Sequence, residues 1–186
     1  MANSHSISDF ITGFGGGTRQ NRFKITGAIA SASSPNTTST FETNIFYVRT
    51  ASLPNSTLGG IPINYRGRTV VYPGERVYSP WQITVLDDKP SSKIKLYEAF
   101  HAWSHGINDH SLNTTSVSGL DPKNHFAADW TVEQLDTNGA ATLTGRKFTL
   151  HNCWPQTVGD IALDMGADNT LASFAVTIFY SHYEIS

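Results

Sequence analysis

The chain has 186 residues, enough for one well-buried domain and short for two. Hydrophobic residues make up 39% and charged residues 15%, too apolar for a disordered chain and consistent with a surface rich in Ser, Thr and Asn. A net charge of -2 sets up no field that calls for nucleic acid or an anionic membrane, and the lone Cys153 excludes an intrachain disulfide and a Cys-based zinc knot.

The N-terminal stretch MANSHSISDFITGFGGG lacks the charged region and apolar run of a signal peptide, and no apolar stretch approaches a membrane span. Three sequons, at Asn36, Asn55 and Asn113, fit a polar surface. The expectation is a soluble intracellular product or part of a particle. Residues 1–20 read as an arm, hinged at the glycine-rich Gly13–Thr18. That hinge lacks the lysine of a phosphate loop and no strand precedes it.

Arg22–Ile29 alternates as a strand, with Phe23 and Ile25 on one face and Arg22 and Lys24 on the other. Ser31–Thr40, SASSPNTTST, reads as a long loop of low complexity. Asn44–Arg49 is a predicted strand, and residues 51–68 an extended loop. Arg68–Tyr72 is a strand followed by the turn signal Pro73-Gly74. Tyr78–Leu86 sets Trp81, Ile83 and Val85 on one face and Gln82, Thr84 and Leu86 on the other.

One segment reads as a helix, over residues 91–106, with Gly106 its natural stop. At about 100° per residue, Leu96, Ala99, Phe100, Trp103 and Ile107 share one arc. His101 and His105 fall on the opposite side, beside Glu98. Their i, i+4 spacing suits zinc, but a zinc-protease helix needs Glu after the first His, and Ala102 stands there. The histidines are therefore expected outside a helix whose Phe100 and Trp103 are core. Asp87-Asp88 just before this helix reads as an N-terminal cap rather than an acid/base pair, since neighbours on a strand face opposite ways.

After a second long loop, His110–Asn124, the strands Asp129–Asp136 and Ala140–His151 flank Asn138-Gly139, a strong hairpin signal. Asp160 and Asp164 lie four apart with nothing near them to suggest an acid/base pair. Cys153 reads as a buried structural thiol. Ser173–Ile185 is a long closing strand, with Phe174, Val176, Ile178 and Tyr180 opposing Ala175, Thr177, Phe179 and Ser181. Both its faces are fairly apolar, which calls for cover on both sides. The chain has no G-x-S-x-G elbow and no basic-aromatic stripe, so neither catalysis nor nucleic-acid reading is indicated, and no cofactor is implied.

Between Ala51 and Ile107 a series of elements stands in order: S-L-P (Ser52–Pro54), Y-x-G-R (Tyr65–Arg68), P-G-E (Pro73–Glu75), W-x-I-T-V-x-x-D (Trp81–Asp88), then a helix with F-x-x-W and a trailing Ile107. GTRQNRFKITG (Gly17–Gly27) precedes them, and a block with an aromatic-Pro step and V-G-x-I-x-L-D follows (Asn152–Ile185). This series resembles the tail tube proteins of contractile-tailed bacteriophages, over most of the chain except Ser31–Thr40 and roughly His110–Ala127. The ring protein of type VI secretion shares that fold.

The resemblance implies a mainly β domain over residues 1–186: an antiparallel β-barrel or sandwich with one flanking helix, closing into an intersubunit barrel in a hexameric ring. It implies a structural virion protein, not an enzyme, assembled in the host cytoplasm. Its rings would stack into the conduit for DNA ejection. Partners would be further copies of itself, the tail sheath, tape measure, baseplate and tail-terminator proteins, and transiently double-stranded DNA, with no membrane. Such a channel must not hold DNA, so its wall should be neutral or acidic. Burying Trp81, Ile83 and Val85 leaves Gln82 and Thr84 for the channel; burying Phe174, Val176, Ile178 and Tyr180 leaves Thr177 and Ser181. Arg19, Leu53, Pro54, Asn55, Tyr65 and Arg68 are the expected inter-ring or inter-subunit residues, and Trp81, Phe100 and Trp103 the core. The alternative is a monomeric β-sandwich adhesin or carbohydrate-binding module, with Trp130 and Tyr65 exposed to stack on sugars. A metalloenzyme is a third reading.

Overall fold

In a computed structural model of the chain, the residues described are 6–14, 17–31, 34–40, 47–87, 96–115, 128–137 and 142–186. They form ten antiparallel strands and two helices: α1 (Ile7–Phe14), β1 (Phe23–Ser31), β2 (Ser34–Thr40), β3 (Val48–Ala51), β4 (Ser56–Tyr65), β5 (Arg68–Tyr78), β6 (Trp81–Leu86), α2 (Leu96–Ile107), β7 (Ala128–Leu135), β8 (Thr142–Val158), β9 (Ser173–Phe179) and β10 (His182–Ile185). The main sheet runs β2-β1-β7-β8-β9-β6-β3, with β10 also on β8, while β4 and β5 pair only with each other.

The 17-residue β8 links the two halves of the sheet. Its first part carries β7 on one edge and β10 on the other, and its last residues, Trp154–Val158, carry β9. The sheet then curls over a single core. Trp81 of β6 and Trp130 of β7 are far apart in strand order, yet their rings meet edge to face at 6.1 Å. Each indole N–H is satisfied by a backbone carbonyl, Trp81 by Ser52 at 2.6 Å and Trp130 by Ala28 at 2.9 Å, which lets both rings sit fully buried. Among the described residues the sheet does not close into a barrel: β2 and β3 end it.

Helix α2 packs across the core as its apolar arc requires. Leu96, Phe100 and Trp103 are buried, and Phe100 stacks near Trp130, Trp103 and Phe174 at about 6 Å. The helix runs through Gly106 to Ile107 rather than stopping at the glycine, and its expected first turn (91–95) and Asp88 lie outside the described residues. Asp87 leaves β6 by donating its N–H to Ala172.

Several expectations are corrected. The one helix that packs on the sheet is α2, as expected, but the arm also holds a second helix, α1, with no buried residue. Residues 7–14 of the arm form α1, begun by a reciprocal cap in which Ser6 Oγ accepts from Asp9 N and Asp9 accepts from Ser6 N. Most of the expected loop Ser31–Thr40 is strand β2, because the edge of β1 offers it backbone partners that its Ser and Thr residues do not advertise. Residues 51–68 are mostly strand rather than loop: Ala51 ends β3, Ser56–Tyr65 form β4 and Arg68 opens β5, which leaves Ser52–Asn55 and the Arg66-Gly67 turn as connections. The Pro73-Gly74 signal is absorbed inside β5, where a register shift opposite Leu58–Gly60 takes up the irregularity. The closing strand breaks at Tyr180-Ser181 into β9 and β10, opposite Asn152, whose φ is +56°. Asn44–Phe46 and the Asn138-Gly139 turn lie outside the described residues, although β7 and β8 pair as the hairpin requires. Of the loop His110–Asn124, residues 116–124 also lie outside them.

Candidate functional site

The face of β6 and β9 turned away from the core is polar and uncharged at its centre. Trp81, Ile83 and Val85 are buried, so period two turns Gln82 and Thr84 outward; Phe174, Val176 and Ile178 do the same for Ala175 and Thr177. The register then makes rows. Gln82 pairs with Thr177, which pairs with Thr157 on β8; Thr84 pairs with Ala175 and with Thr50 on β3. A stacked pair, Trp154 and Phe179, borders these rows with rings 5.3 Å apart. Thr50 and Thr157 were missed in the sequence because β3 is short and β8 was expected to end at His151. Ser181 is apart from this set: it is exposed at the break before β10, and its Oγ accepts from Asn152 Nδ2 at 3.3 Å.

The second feature is the β4–β5 hairpin. Arg66 and Gly67, at φ +47° and +81°, turn it tightly. Beyond its base it leaves the domain and exposes Leu58, Ile61, Ile63, Tyr65, Val70 and Val71, each about half to two-thirds accessible. A two-stranded ribbon is marginal in water by itself. Covering each of these side chains is worth roughly 1 kcal/mol. The base, by contrast, is anchored. Tyr78 packs edge to face on Tyr180 and Tyr183, Tyr180 donates its hydroxyl to the Asn55 carbonyl, and Ser56 Oγ lies 3.1 Å from the Tyr183 hydroxyl. Burial, then the neighbouring Tyr183, pushes the Tyr180 phenol up to about 12.

This divides the expected inter-ring residues. Tyr65 and Arg68 stand exposed at the hairpin tip, directly paired, and Asn55 is exposed at its base. Pro54 is buried and Leu53 half-buried against the core, so within the protomer they seat the base of the hairpin. Arg19 is exposed between α1 and β1. Helix α1 has no buried residue: Ile7, Phe10, Ile11 and Phe14 are 59–79% accessible, with Phe10 stacked on Phe14 at 5.3 Å. The loop after β8 likewise exposes Leu163, Met165 and Leu171.

The remaining polar groups have local tasks. His101 packs on Tyr97, and His105 Nδ1 accepts from the His110 N–H at 3.2 Å. Asp109 closes the turn after α2; hydrogen bonds from the Ser111 hydroxyl and the Leu112 and Ser111 amides hold its carboxyl at about 2. Cys153 is buried and donates to the Leu150 carbonyl, and burial pushes its thiol well above the ordinary range. Asp164 accepts from Gly166 N in an exposed turn. Trp130, expected as a sugar platform, is fully buried under the sheet, which removes it from any such surface.

An anchored sheet with an uncharged outer face and several uncovered apolar elements suits a building block. A model of the family described as phage tail tube protein matches residues 18–186. The chain belongs to the phage tail tube protein family. The tail tube protein of Serratia phage KSP90 is 28% identical over 180 residues, spanning 97% of this chain and 95% of that protein. Tail tube protein gp19 of Enterobacteria phage T4 is 21% identical over 139 residues, 75% of this chain and 80% of that one. Among solved structures, a chain of the sheath-tube complex of an extracellular contractile injection system (PVC) in its extended state superposes with a TM-score of 0.59 at 14% identity, covering 98% of this chain and 99% of that chain. A chain of the anti-feeding prophage baseplate gives 0.59 at 14% identity over 89% and 92%. At these identities the structural likeness speaks for the fold. Like its relatives, this tail tube chain is a structural protein, of the kind found in contractile phage tails, and part of the virion. Its described residues hold an antiparallel sheet with α2 packed on its core, as the family resemblance implied in outline.

Proposed function

We propose that the chain assembles into homohexameric rings that stack as the tail tube, the conduit through which double-stranded DNA leaves the virion. The observation that carries this is the β4–β5 hairpin: a ribbon of exposed apolar side chains on an anchored base, which needs another surface to cover it. Helix α1 and the loop with Leu163, Met165 and Leu171 are further surfaces of the same kind. A sheet that ends in open edges at β2 and β3 is completed by neighbours in a ring.

In this reading Tyr65 and Arg68 at the hairpin tip, Asn55 at its base and Arg19 beside α1 meet adjacent subunits, while Leu53 and Pro54 hold the hairpin at its angle. Gln82, Thr84 and Thr177 face the channel, joined by Thr50 and Thr157; Ser181 lies at the rim of that face. A wall of Gln and Thr offers DNA no cations, so no counterions are released on contact and the duplex slides without being held. The outer surface of the tube meets a sheath. Baseplate and terminator proteins bound its length, a reading supported by the neighbours' sheath, baseplate and terminator assemblies, and a tape measure protein sets it. Assembly takes place in the host cytoplasm.

Negative-stain electron microscopy of the purified full-length chain, with mass photometry, tests this. Six-fold rings and tubes are expected. A uniform monomer at high concentration overturns it.

A further inference from the structure

On the strand pair β8–β10, outside the rows of Gln and Thr, three side chains bring metal-binding atoms together. His151 and His182 stand directly opposite in the antiparallel ladder, and Glu184 lies two residues on, on the same face as His182. The imidazoles stack at 4.7 Å with their planes 23° apart. One ligand atom from each of the three residues lies within 4.8 Å of the others.

We infer that His151, His182 and Glu184 form a binding site for a late divalent transition metal ion of the zinc class. The decisive detail is the state of His151. Its Nδ1 lies 3.2 Å from Asp129 Oδ2, and the other oxygen of Asp129 accepts from the Asn152 backbone N–H at 3.0 Å. In the neutral imidazole a carboxylate so placed takes the Nδ1 N–H, and the lone pair then sits on Nε2. That Nε2 is shielded from solvent, has no hydrogen-bond partner among the described residues, and faces Glu184 Oε2 at 3.8 Å. A lone pair and a carboxylate facing each other call for a cation between them. A carboxylate-oriented histidine, a second imidazole and a second carboxylate make a borderline nitrogen-oxygen donor set that suits zinc and excludes calcium and magnesium, which take oxygen ligands.

The closing movement required is small. Ligands about 2.0–2.2 Å from a tetrahedral ion stand roughly 3.3 Å apart. His182 and Glu184 are exposed, which leaves their side chains room to rotate towards that spacing. The fourth position stays open for water or a donor from another molecule. Bound metal would pin β10, the short last strand, to β8. This site is independent of the assembly reading.

The test is calorimetric titration of the metal-free, full-length chain with zinc chloride, with thermal melting in zinc and in chelator. Expected are one ion per chain and a higher melting temperature in zinc. His182→Ala should abolish that binding, and Glu184→Gln should weaken it. Asp129→Asn, which keeps the acceptor for Asn152, should weaken it about tenfold to a hundredfold. His105→Ala, at the other histidine cluster, should change nothing. His182→Gln, with circular dichroism, separates lost ligation from lost folding. Absence of saturable binding, or binding that survives both His182 variants, overturns the proposal. So does a melting temperature that responds to pH but not to zinc, because the cation between His151 and Glu184 is then only a proton.

Discussion

Gln82 on β6 and Thr177 on β9 stand directly opposite each other in an antiparallel ladder, on the face turned away from the core. Neither position can move to the other face without a slip that would expose Trp81, Val176 and Ile178. Their shared face is therefore fixed by the core behind them. Replacing Gln82 and Thr84 with Lys adds two cations per chain, hence about a dozen per ring of the proposed hexamer. Folding and tube assembly should persist by circular dichroism and electron microscopy. DNA release from virions carrying the variant should slow and become strongly dependent on salt. Loss of folding would place these side chains in a buried contact instead.

The hairpin predicts a separation of folding from assembly. Ile63 and Val71 are exposed in the protomer, so Ile63→Asp with Val71→Asp should shift protomer stability by only about 0.5 kcal/mol per site in urea denaturation. The same variant should form no tubes in the electron microscope. Long tubes from it would remove the hairpin from the contacts between subunits.

Gly27 pairs with Trp130 across β1 and β7, and a Cβ at Gly27 would overlap the indole ring. The glycine is required by this close approach, not by a turn. Gly27→Ala should cost about 3 kcal/mol in chemical denaturation and shift the tryptophan fluorescence. Trp103→Ala, a cavity under α2, should cost roughly 3–5 kcal/mol, whereas the exposed His105→Ala should cost little.

Tyr180 sets an alkaline limit. Its phenol is raised to about 12 in the folded chain from an ordinary value near 10, so the folded state holds a proton that the unfolded state has lost. Stability from this group is complete below about pH 10 and falls as the pH rises towards about 12. Thermal melts from pH 9 to 12 should show that descent. Tyr180→Phe should flatten it, and should also loosen the hairpin base by removing the hydroxyl bond to Asn55.

Much of the sheet was legible where side chains alternate over a buried face. Trp81, Ile83 and Val85, or Phe174, Val176 and Ile178, announce a strand and its inner face because burial of large apolar groups at period two has few other solutions. The arc of Leu96, Phe100 and Trp103 did the same for α2. β2 was not legible: SPNTTST has no apolar pattern, and it is a strand because β1 supplies its partners. Helix α1 was passed over because its apolar face is buried against nothing among the described residues, although the Ser6–Asp9 cap was there to be read.

The sequence by itself determined the family, the inner faces of β6 and β9, and the helix that packs on the core, since these depend on the order of apolar residues along one strand or turn. Tertiary structure decided what depends on pairing between distant segments. It buried Trp130 beneath Gly27, carried β5 straight through Pro73-Gly74, and divided the last strand at Ser181. It also set His151 beside Asp129 and opposite His182. Those placements follow from register and from the curl of the sheet, which bring together residues up to about a hundred positions apart, and no local pattern encodes them.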